Sequence, residues 1–369
     1  MRSVGSAADE VSFAFAMHQT DTLPGVAPTG PALALGTAAT GTLGDAGVAQ
    51  EYTLTLDSPR RIVIDGQTNL NAVNITIDDA LGRVATRRIN LDPGSVYDRG
   101  DRQNNTHVLD LPAGQYRVAV SSTSAGSPFA FQLVDLDAAP LLEIGAPVTT
   151  QLDPASGMLA YRINASADQV VAYDLTTDGD FQYYTVIAPD GRLVTQGSSL
   201  TSGQFIADAP GDYALLIDGR AGNTVPRSVA VTLRDGAPSA LTLDSVQTAL
   251  LPGPQAIDSF TFSLGAEKTL VFDTRVINTN QASWSVTDAR GATLASGRFD
   301  YPDARDFRLP AGNYTLTLSS TMAFDPFDFV LRDTSVGAMI DFDTPVEVSE
   351  EVATDRRAFR FQGAAGDDI

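Results

Sequence analysis

Two acidic loops are the parts of this sequence whose residue types could bind a metal ion. The first runs from Asp92 to Asp101 and includes Asp98, and the second contains Asp178-Gly179-Asp180. Ca²⁺ takes roughly six to eight oxygen ligands from clustered carboxylates and carbonyls, so calcium is the cofactor to consider. Neither loop matches an EF-hand loop or a Gly-Gly-x-Gly-x-Asp nonapeptide. The alternative role, which the sequence favours, is an Asx-turn between strands. The candidate calcium ligands are therefore Asp98, Asp101, Asp178 and Asp180, and no metal site is assigned.

Catalytic chemistry has few candidate residues. The sequence contains two histidines, His18 and His107, at non-equivalent places. A Ser-His-Asp triad needs a histidine held between a nucleophile and a carboxylate. Neither histidine accompanies a recognisable nucleophile motif, and the sequence has no Gly-x-Ser-x-Gly elbow. We therefore predict no catalytic residues and no enzymatic activity.

An aromatic platform for carbohydrate is the third kind of site to consider. Its candidate residues are Trp284, Tyr183, Tyr184 and Tyr301, which would have to be exposed. The alternation Ser283-Trp284-Ser285-Val286 instead predicts that Trp284 lies in the core beside Val286, because alternate residues share one face of a strand.

The charge balance limits the partners. The 369 residues carry a formal charge of -21 at pH 7, and Lys268 is the only lysine. Nucleic-acid phosphates require a basic surface, so the charge argues against nucleic acid as a partner and equally against an anionic membrane surface. No run approaches the roughly 20 apolar residues of a membrane span, so we predict no membrane insertion. The sequence has no cysteine, which excludes disulfides and thiolate metal sites.

One stretch occurs three times and defines the elements that would position any site. Each copy is a short strand, a Pro/Gly turn and a second strand. Proline presets φ at the turn, and glycine takes the positive φ that costs other residues energy. The tyrosine after the turn is a large apolar ring, and its hydroxyl must find a partner if it is buried. The signature residues are Pro112, Gly114 and Tyr116, then Pro210, Gly211 and Tyr213, then Pro310, Gly312 and Tyr314.

These copies follow a period that other landmarks share. The signature tyrosines are 97 and 101 residues apart. The aromatic strands begin at Tyr52, Tyr161, Phe260 and Phe359, and the opening elements begin at Leu33, Leu142, Leu241 and Ile340, with separations of 109, 99 and 99 in both sets. Units of roughly 100 residues have the size of self-contained domains. Short alternating strands and frequent turns predict an all-β protein, with about seven to eight strands per unit in two antiparallel sheets.

The period predicts a division of the chain into three complete sandwiches and two partial units. Val11-Ser12-Phe13-Ala14-Phe15 resembles the later closing strand Ser127-Pro128-Phe129-Ala130-Phe131. We therefore expect a segment of a longer array, with a signal peptide in an upstream part. The short linkers Asp137–Pro140 and Asp235–Pro238 predict limited bending. The predicted ranges are 1–30 (closing strand of a preceding repeat plus linker), 31–139, 140–238 and 239–336 (sandwiches), and 337–369 (opening strands of a further repeat).

The order of motifs resembles a known family. An aromatic strand, a strand leading to an Asp/Gly turn, the hairpin Leu-Pro-Ala-Gly-x-Tyr and a closing Phe-x-Phe strand are similar to the bacterial pre-peptidase C-terminal domain, in the tandem form found in very large secreted or surface-attached proteins. The resemblance covers essentially the whole chain. It implies a jelly-roll-like β-sandwich, an extracellular or cell-surface location and an accessory role without catalysis, and some relatives bind calcium or matrix polymers. The second copy departs from the motif because its proline, Pro210, is shifted by one position.

These observations lead to two alternative functions. Repetition in register predicts a non-catalytic extracellular repeat segment of a large, adhesin-like bacterial protein, which acts as a spacer or display stalk. Its partners would be the neighbouring repeats of the same polypeptide. The alternative is an accessory module of a secreted hydrolase or protease that binds a glycan or an extracellular matrix polymer. That alternative predicts an exposed aromatic cluster that recurs on one face.

Overall fold

Alternating apolar residues form paired strands throughout the part of the chain that the structure describes. This computed structural model describes residues 28–67, 73–89, 108–179, 183–197, 202–219, 225–274, 279–299, 306–347 and 359–363. These residues contain strands, turns and one short 3₁₀ helix, Thr334–Val336, and no α-helix. Within them, no helix is long and apolar enough to cross a membrane. The protein is therefore all-β, as the sequence predicts.

The first unit is a sandwich of two sheets. Its five-stranded sheet has the order β1-β3-β8-β5-β6, and its four-stranded sheet has the order β2-β9-β4-β7. The strands are β1 (Ala32–Leu33), β2 (Ala39–Thr42), β3 (Gln50–Leu56), β4 (Arg60–Gly66), β5 (Val73–Asp79), β6 (Val84–Ile89), β7 (Leu109–Leu111), β8 (Gly114–Ser122) and β9 (Pro128–Asp135).

The second unit has two four-stranded sheets, with the orders β11-β16-β13-β14 and β10-β17-β12-β15. Its strands are β10 (Val148–Leu152), β11 (Met158–Ala165), β12 (Val170–Thr177), β13 (Tyr183–Ile187), β14 (Leu193–Gly197), β15 (Gly203–Ile206), β16 (Gly211–Asp218) and β17 (Arg227–Asp235).

The third unit repeats the arrangement of the first, with the sheets β18-β20-β25-β22-β23 and β19-β26-β21-β24. Its strands are β18 (Ser239–Ala240), β19 (Gln247–Ala249), β20 (Ile257–Leu264), β21 (Lys268–Thr274), β22 (Ala282–Asp288), β23 (Thr293–Arg298), β24 (Phe307–Leu309), β25 (Gly312–Ser320) and β26 (Phe327–Asp333). A further pair follows, β27 (Ala338–Met339) and β28 (Phe359–Arg360). The closing strand predicted at 11–15 lies outside the described residues.

The opening strands differ from the prediction. The prediction was two antiparallel sheets with about seven to eight strands per unit, and the opening strands add parallel pairs to it: β1 pairs with β3 in parallel, and β18 pairs with β20 in parallel. These two-residue strands raise the described count to nine in the first and third units. The chain then crosses to the other sheet, where the amide of Gly36 donates to the carbonyl of Leu133 at 2.8 Å. Gly145 and Asp244 make the same crossing to Leu233 and Leu331, and all three crossing residues have positive φ.

Each unit has its own apolar core between its two sheets. The largest buried side chains include Phe131 in the first unit, Tyr173 and Tyr213 in the second and Phe329 in the third. The three principal clusters of buried residues each fall within one of the predicted ranges 31–139, 140–238 and 239–336. A fourth, smaller cluster spans the first junction and is described below. The exact boundaries of the ranges stay a prediction.

Candidate functional site at the signature hairpins and the first junction

Each signature tyrosine makes the same type of hydrogen bond, from its hydroxyl to a carbonyl in the preceding turn. Each signature strand is an inner strand of its sheet, so the tyrosine ring is buried against the opposite sheet. The hydroxyl of Tyr116 donates to the carbonyl of Pro112 at 2.8 Å, and that of Tyr314 donates to the carbonyl of Pro310 at 2.8 Å. Burial raises the pKa of Tyr116 above its ordinary value. The hydroxyl therefore holds the preceding turn against the strand.

The second unit keeps this bond although its proline is displaced. The hydroxyl of Tyr213 lies 3.0 Å from the carbonyl of Ala209, which stands where Pro112 and Pro310 stand in the other units. Ala209 has an N–H that proline lacks, and it donates to the same hydroxyl at 3.2 Å. The hydroxyl is also 3.0 Å from Oδ1 of Asp208. The second unit therefore forms the same contact between tyrosine and turn, with additional hydrogen-bond partners.

The signature glycines do not share one conformation. Gly114 and Gly211 have φ of +158° and +141°, but Gly312 lies outside the positive-φ region, so the prediction of positive φ is wrong there. A Cβ at Gly312 would lie 3.0 Å from Oη of Tyr314. Close packing against the tyrosine, rather than backbone conformation, accounts for this glycine.

A groove of about 560 Å³ lies beside the signature hairpin of the first unit. It is bounded by the Asx-turn of Asp79, whose Oδ1 accepts from the amides of Leu81 and Arg83 at 2.9 Å. Burial raises the pKa of Asp79, but the hydrogen bonds from Arg83 and Leu81 outweigh it and hold the pKa below its ordinary value. Asp288 forms the corresponding turn in the third unit. Tyr116 is an aromatic residue that lines the groove.

Of the four candidate calcium ligands, Asp178 alone lies within the described residues. Asp178 is exposed, and its Oδ1 accepts from the amide of Ser228 at 3.0 Å. The nearby Asp174 pairs with Arg234, with 2.8 Å between Oδ2 and Nε. Within the described part of the chain, no three acidic or histidine side chains form a cluster able to hold a metal ion. Asp98, Asp101 and Asp180 lie outside the described residues, as do both histidines.

The aromatic candidates are mainly core residues. Trp284 is buried, and its ring centroid lies 5.2 Å from that of Phe272, as the alternation predicts. Tyr184 is buried and accepts a hydrogen bond from Tyr173 at 3.1 Å. Tyr183 is half-buried, and Tyr301 lies outside the described residues. Trp284 and Tyr184 are therefore not available as an exposed carbohydrate platform.

The junction between the first two units is built from side chains that point away from both cores. Val63 on β4 and Leu136 pack with Met158, Ile187 and Leu216 of the second unit. On β16, Tyr213, Leu215 and Ile217 face the core, and the intervening residues face the first unit. A strand that is apolar on both faces is buried on both faces. The complete cluster is Val63, Val108, Leu136, Met158, Ile187, Ala214 and Leu216.

Two arginines add hydrogen bonds at this junction, one between the two units and one to the linker. The Arg61 side chain donates to the carbonyls of Ala188 and Asp212 in the second unit, at 3.2 and 3.3 Å. Nε of Arg162 donates to the carbonyl of Ala139 in the linker at 2.8 Å. Asn164 and Arg162 donate to the carboxylate of Asp212, and with the charge of Arg61 they hold its pKa below the ordinary value although burial opposes them.

A recurring aspartate was missed in the sequence. The strand registers place Asp65, Asp174 and Asp273 at equivalent positions on β4, β12 and β21. Their spacings of 109 and 99 match those of the other landmarks, so the period could have revealed them. Oδ2 of Asp65 accepts from the backbone N–H of Met158 in the second unit at 3.1 Å. Asp174 and Asp273 instead pair with Arg234 and Arg332.

The second junction is built differently. The amide of Ser202 donates to the carbonyl of Pro254 at 3.0 Å. Burial raises the pKa of Asp258 in the third unit, and the positive charge of Arg234 opposes that rise. Val170 and Thr261 occupy the positions of Arg61 and Arg162. Among the described residues, none of the four clusters of buried apolar side chains spans this junction. The first junction therefore has more apolar contacts that oppose bending than the second junction has.

Comparisons with known proteins find likenesses at the level of solved structures. No family model and no curated protein matches the chain. PliG, a periplasmic inhibitor of g-type lysozyme from Aeromonas hydrophila, is similar with a TM-score of 0.21 and 16% identity, over 26% of this chain and 100% of that one. Tripeptidyl peptidase 2 is similar with a TM-score of 0.19 and 9% identity, over 80% of this chain and 33% of that one.

The CUB1-EGF-CUB2 segment of human MASP-1/3 is similar with a TM-score of 0.18 and 7% identity, over 53% of this chain and 99% of that one. At such low scores and identities, none of these proteins supports an inference about function. The all-β, jelly-roll-like class rests on the sheets themselves.

Proposed function

We propose that this chain is a non-catalytic, extracellular repeat segment of a large bacterial secreted or surface protein, in which it acts as a spacer or display stalk. The observation that supports this function is the first junction. There, an apolar cluster and the Arg61 hydrogen bonds join two units that each have a separate core. A spacer needs this combination, because independent cores make units that can be repeated and fixed junctions keep them extended.

The surface chemistry suits the same role. A net charge of -21 makes units repel one another and keeps a long array soluble. Most aromatic rings that the structure describes lie in the cores, where they stabilise the sandwiches. Among the described residues that line the groove beside the first signature hairpin, Tyr116 has the one aromatic ring, and that ring is buried.

Small-angle X-ray scattering of the whole chain tests the spacer geometry. Three sandwiches placed end to end should give a maximum dimension on the order of 100 Å. A Leu216→Asp variant should broaden the distance distribution by freeing the first junction. Thr317→Asp, at the equivalent position of the third unit, is the matched control and should not. A compact particle for the unaltered chain would contradict the proposal.

The location is tested separately. Antibodies raised against the protein should label intact cells of the source organism without permeabilisation. Labelling that requires permeabilised cells would rule out an extracellular display role.

A further inference from the structure

The third unit carries polar residues where the second unit carries the apolar face of the first junction. In the second unit, that face consists of Met158, Ile187, Ala214 and Leu216. The strand registers identify the equivalent positions of the third unit, in the same order, as Ile257, Thr287, Thr315 and Thr317. A buried hydroxyl is costly unless it finds a hydrogen-bond partner. The threonines therefore cannot form the apolar contact that joins the first two units.

The exposure of these side chains agrees with their chemistry. Ile187, Ala214 and Leu216 are at most 1% exposed, because the first unit covers them. Their equivalents Thr287, Thr315 and Thr317 are half-buried. The second unit therefore does not cover the third as closely as the first unit covers the second.

The opposite side of the junction changes in the same direction. In the first unit, Val63 and Leu136 supply large apolar side chains to the first junction. The registers place Ala172 and Gly236 of the second unit at their positions. Both replacements remove carbon atoms that could pack against the next unit. The second junction thus loses apolar surface from both of its sides.

The first linker is held in place along its length. Leu136 and Ala139 are buried, and the carbonyl of Ala139 accepts from Nε of Arg162 at 2.8 Å. The amide of Arg162 in turn donates to the carbonyl of Pro140 at 2.8 Å. This linker is therefore packed and hydrogen-bonded to the second unit.

The second linker is held only at its two ends. The amide of Gly236 donates to the carbonyl of Val170 in the second unit at 3.0 Å, and Ser239 begins β18 of the third unit. Between these anchored ends, Ala237 and Pro238 are exposed. The backbone between the two sandwiches that is free to rotate is therefore two residues long.

The loop of the third unit that meets the second unit makes a close but narrow contact. The amide of Ser202 donates to the carbonyl of Pro254, and a Cβ at Gly253 would lie 2.5 Å from Oγ of Ser202. Domains of one chain move relative to one another unless their interface is large and hydrophobic. A narrow polar contact beside an exposed linker is therefore typical of a hinge.

We propose that the second junction is a hinge, at which the third unit rotates about Ala237 and Pro238, while the first two units move as one body. A few linker residues take up the backbone rotation in such a hinge. The contact between Ser202 and Pro254 limits its range. The inference goes beyond the spacer function, because it concerns how the units move. A chain that is rigid at both junctions would remove the hinge and leave the spacer function standing.

Spin labels can follow the two junctions separately, because the sequence has no cysteine that would react elsewhere. Val48→Cys with Ile206→Cys reports on the first junction, and Ile206→Cys with Leu294→Cys reports on the second. All three residues are exposed. Double electron–electron resonance on the full chain should give a narrow distance distribution for the first pair and a broader one for the second. Distributions of equal width would overturn the proposal.

A threonine variant tests whether the apolar face is what joins the first two units. Ile187→Thr, Ala214→Thr and Leu216→Thr together give the second unit the residues of the third. These side chains face away from the core of their own unit, so the variant should still fold, which circular dichroism checks. The distribution across the first junction should become as broad as that across the second, which should not change.

The single change Leu216→Thr disturbs the protein less and should broaden the same distribution to a smaller extent. A first junction that stays narrow in both variants would show that the apolar face does not hold the units together. That result would overturn the physical basis of the hinge.

Discussion

Asp65 accepts a hydrogen bond from the backbone N–H of Met158 at 3.1 Å, although 93 residues separate them in sequence. The equivalent carboxylates Asp174 and Asp273 are engaged by Arg234 and Arg332 of their own sheets. In the first unit Val134 stands where those arginines stand, and Oδ2 of Asp65 accepts from the side-chain amides of Gln67 and Gln132, at 3.0 and 2.8 Å, as well as from Met158 of the next unit. The same repeated position thus forms an ion pair in the second and third units and a junction contact in the first unit.

Replacing Asp65 tests this junction. Asp65→Ala should lower the free energy of unfolding by about 1–3 kcal/mol, because the buried N–H of Met158 and the side-chain amides of Gln67 and Gln132 lose their acceptor. Asp65→Asn keeps an acceptor oxygen and should lose less. Urea denaturation followed by circular dichroism measures both. Equal stability of Asp65→Ala and the unaltered protein would show that the contact contributes nothing.

Leu216 tests whether the first two units unfold together. It is 1% exposed and faces the first unit, so Leu216→Ala should cost about 2–5 kcal/mol and separate the unfolding of the two units. The matched change Thr317→Ala, at a half-buried position of the third unit, should shift stability by about 0.5 kcal/mol or less. Calorimetry should show the first two units melting as one transition only in the unaltered protein and the Thr317 variant.

The signature hydroxyls are predicted to contribute unequally. Tyr314→Phe removes one hydrogen bond and should cost about 1 kcal/mol. Tyr213→Phe removes the partner of both the carbonyl and the N–H of Ala209, so it should cost more. Unfolding of the two variants under the same conditions gives the comparison. A larger loss for Tyr314→Phe would contradict the assigned partners.

The carboxyl of Asp258, near the second junction, should make the stability of the protein depend on pH. Burial raises its pKa, against the lowering effects of hydrogen bonds from the amides of Leu250 and Ser259 and of the Arg234 charge. A carboxyl whose pKa is raised by folding destabilises the native state above that pKa, and the cost disappears as pH falls through it. Asp258→Asn should therefore melt at a higher temperature than the unaltered protein at pH 7.

The difference should vanish below the unfolded-state pKa of about 3.9, where both side chains are neutral. Thermal unfolding between these pH values is the measurement. A variant that is less stable at pH 7 would show that the attraction between Asp258 and Arg234 outweighs the cost of burial.

Local pattern was sufficient for the interior of each unit. Alternation correctly predicted that Trp284 lies in the core. The reason is that a strand's side chains alternate between two faces, so an apolar residue at every second position marks the inner face without further information. A different argument, that each turn glycine has a positive φ, failed at Gly312, because the close approach of the Tyr314 ring cannot be read from spacing.

The sequence by itself determined the three-fold repetition, the all-β class and the burial of Trp284, because a repeat shows in the spacing of similar motifs and strands show in the alternation of neighbouring residues. Tertiary structure alone decided that the opening strands run parallel and that Asp65 meets Met158. It also decided that Leu216 is covered by the first unit and that the equivalent Thr317 stays half-buried. Such contacts join segments whose separation in sequence bears no relation to their distance in space, so only the packed units reveal them.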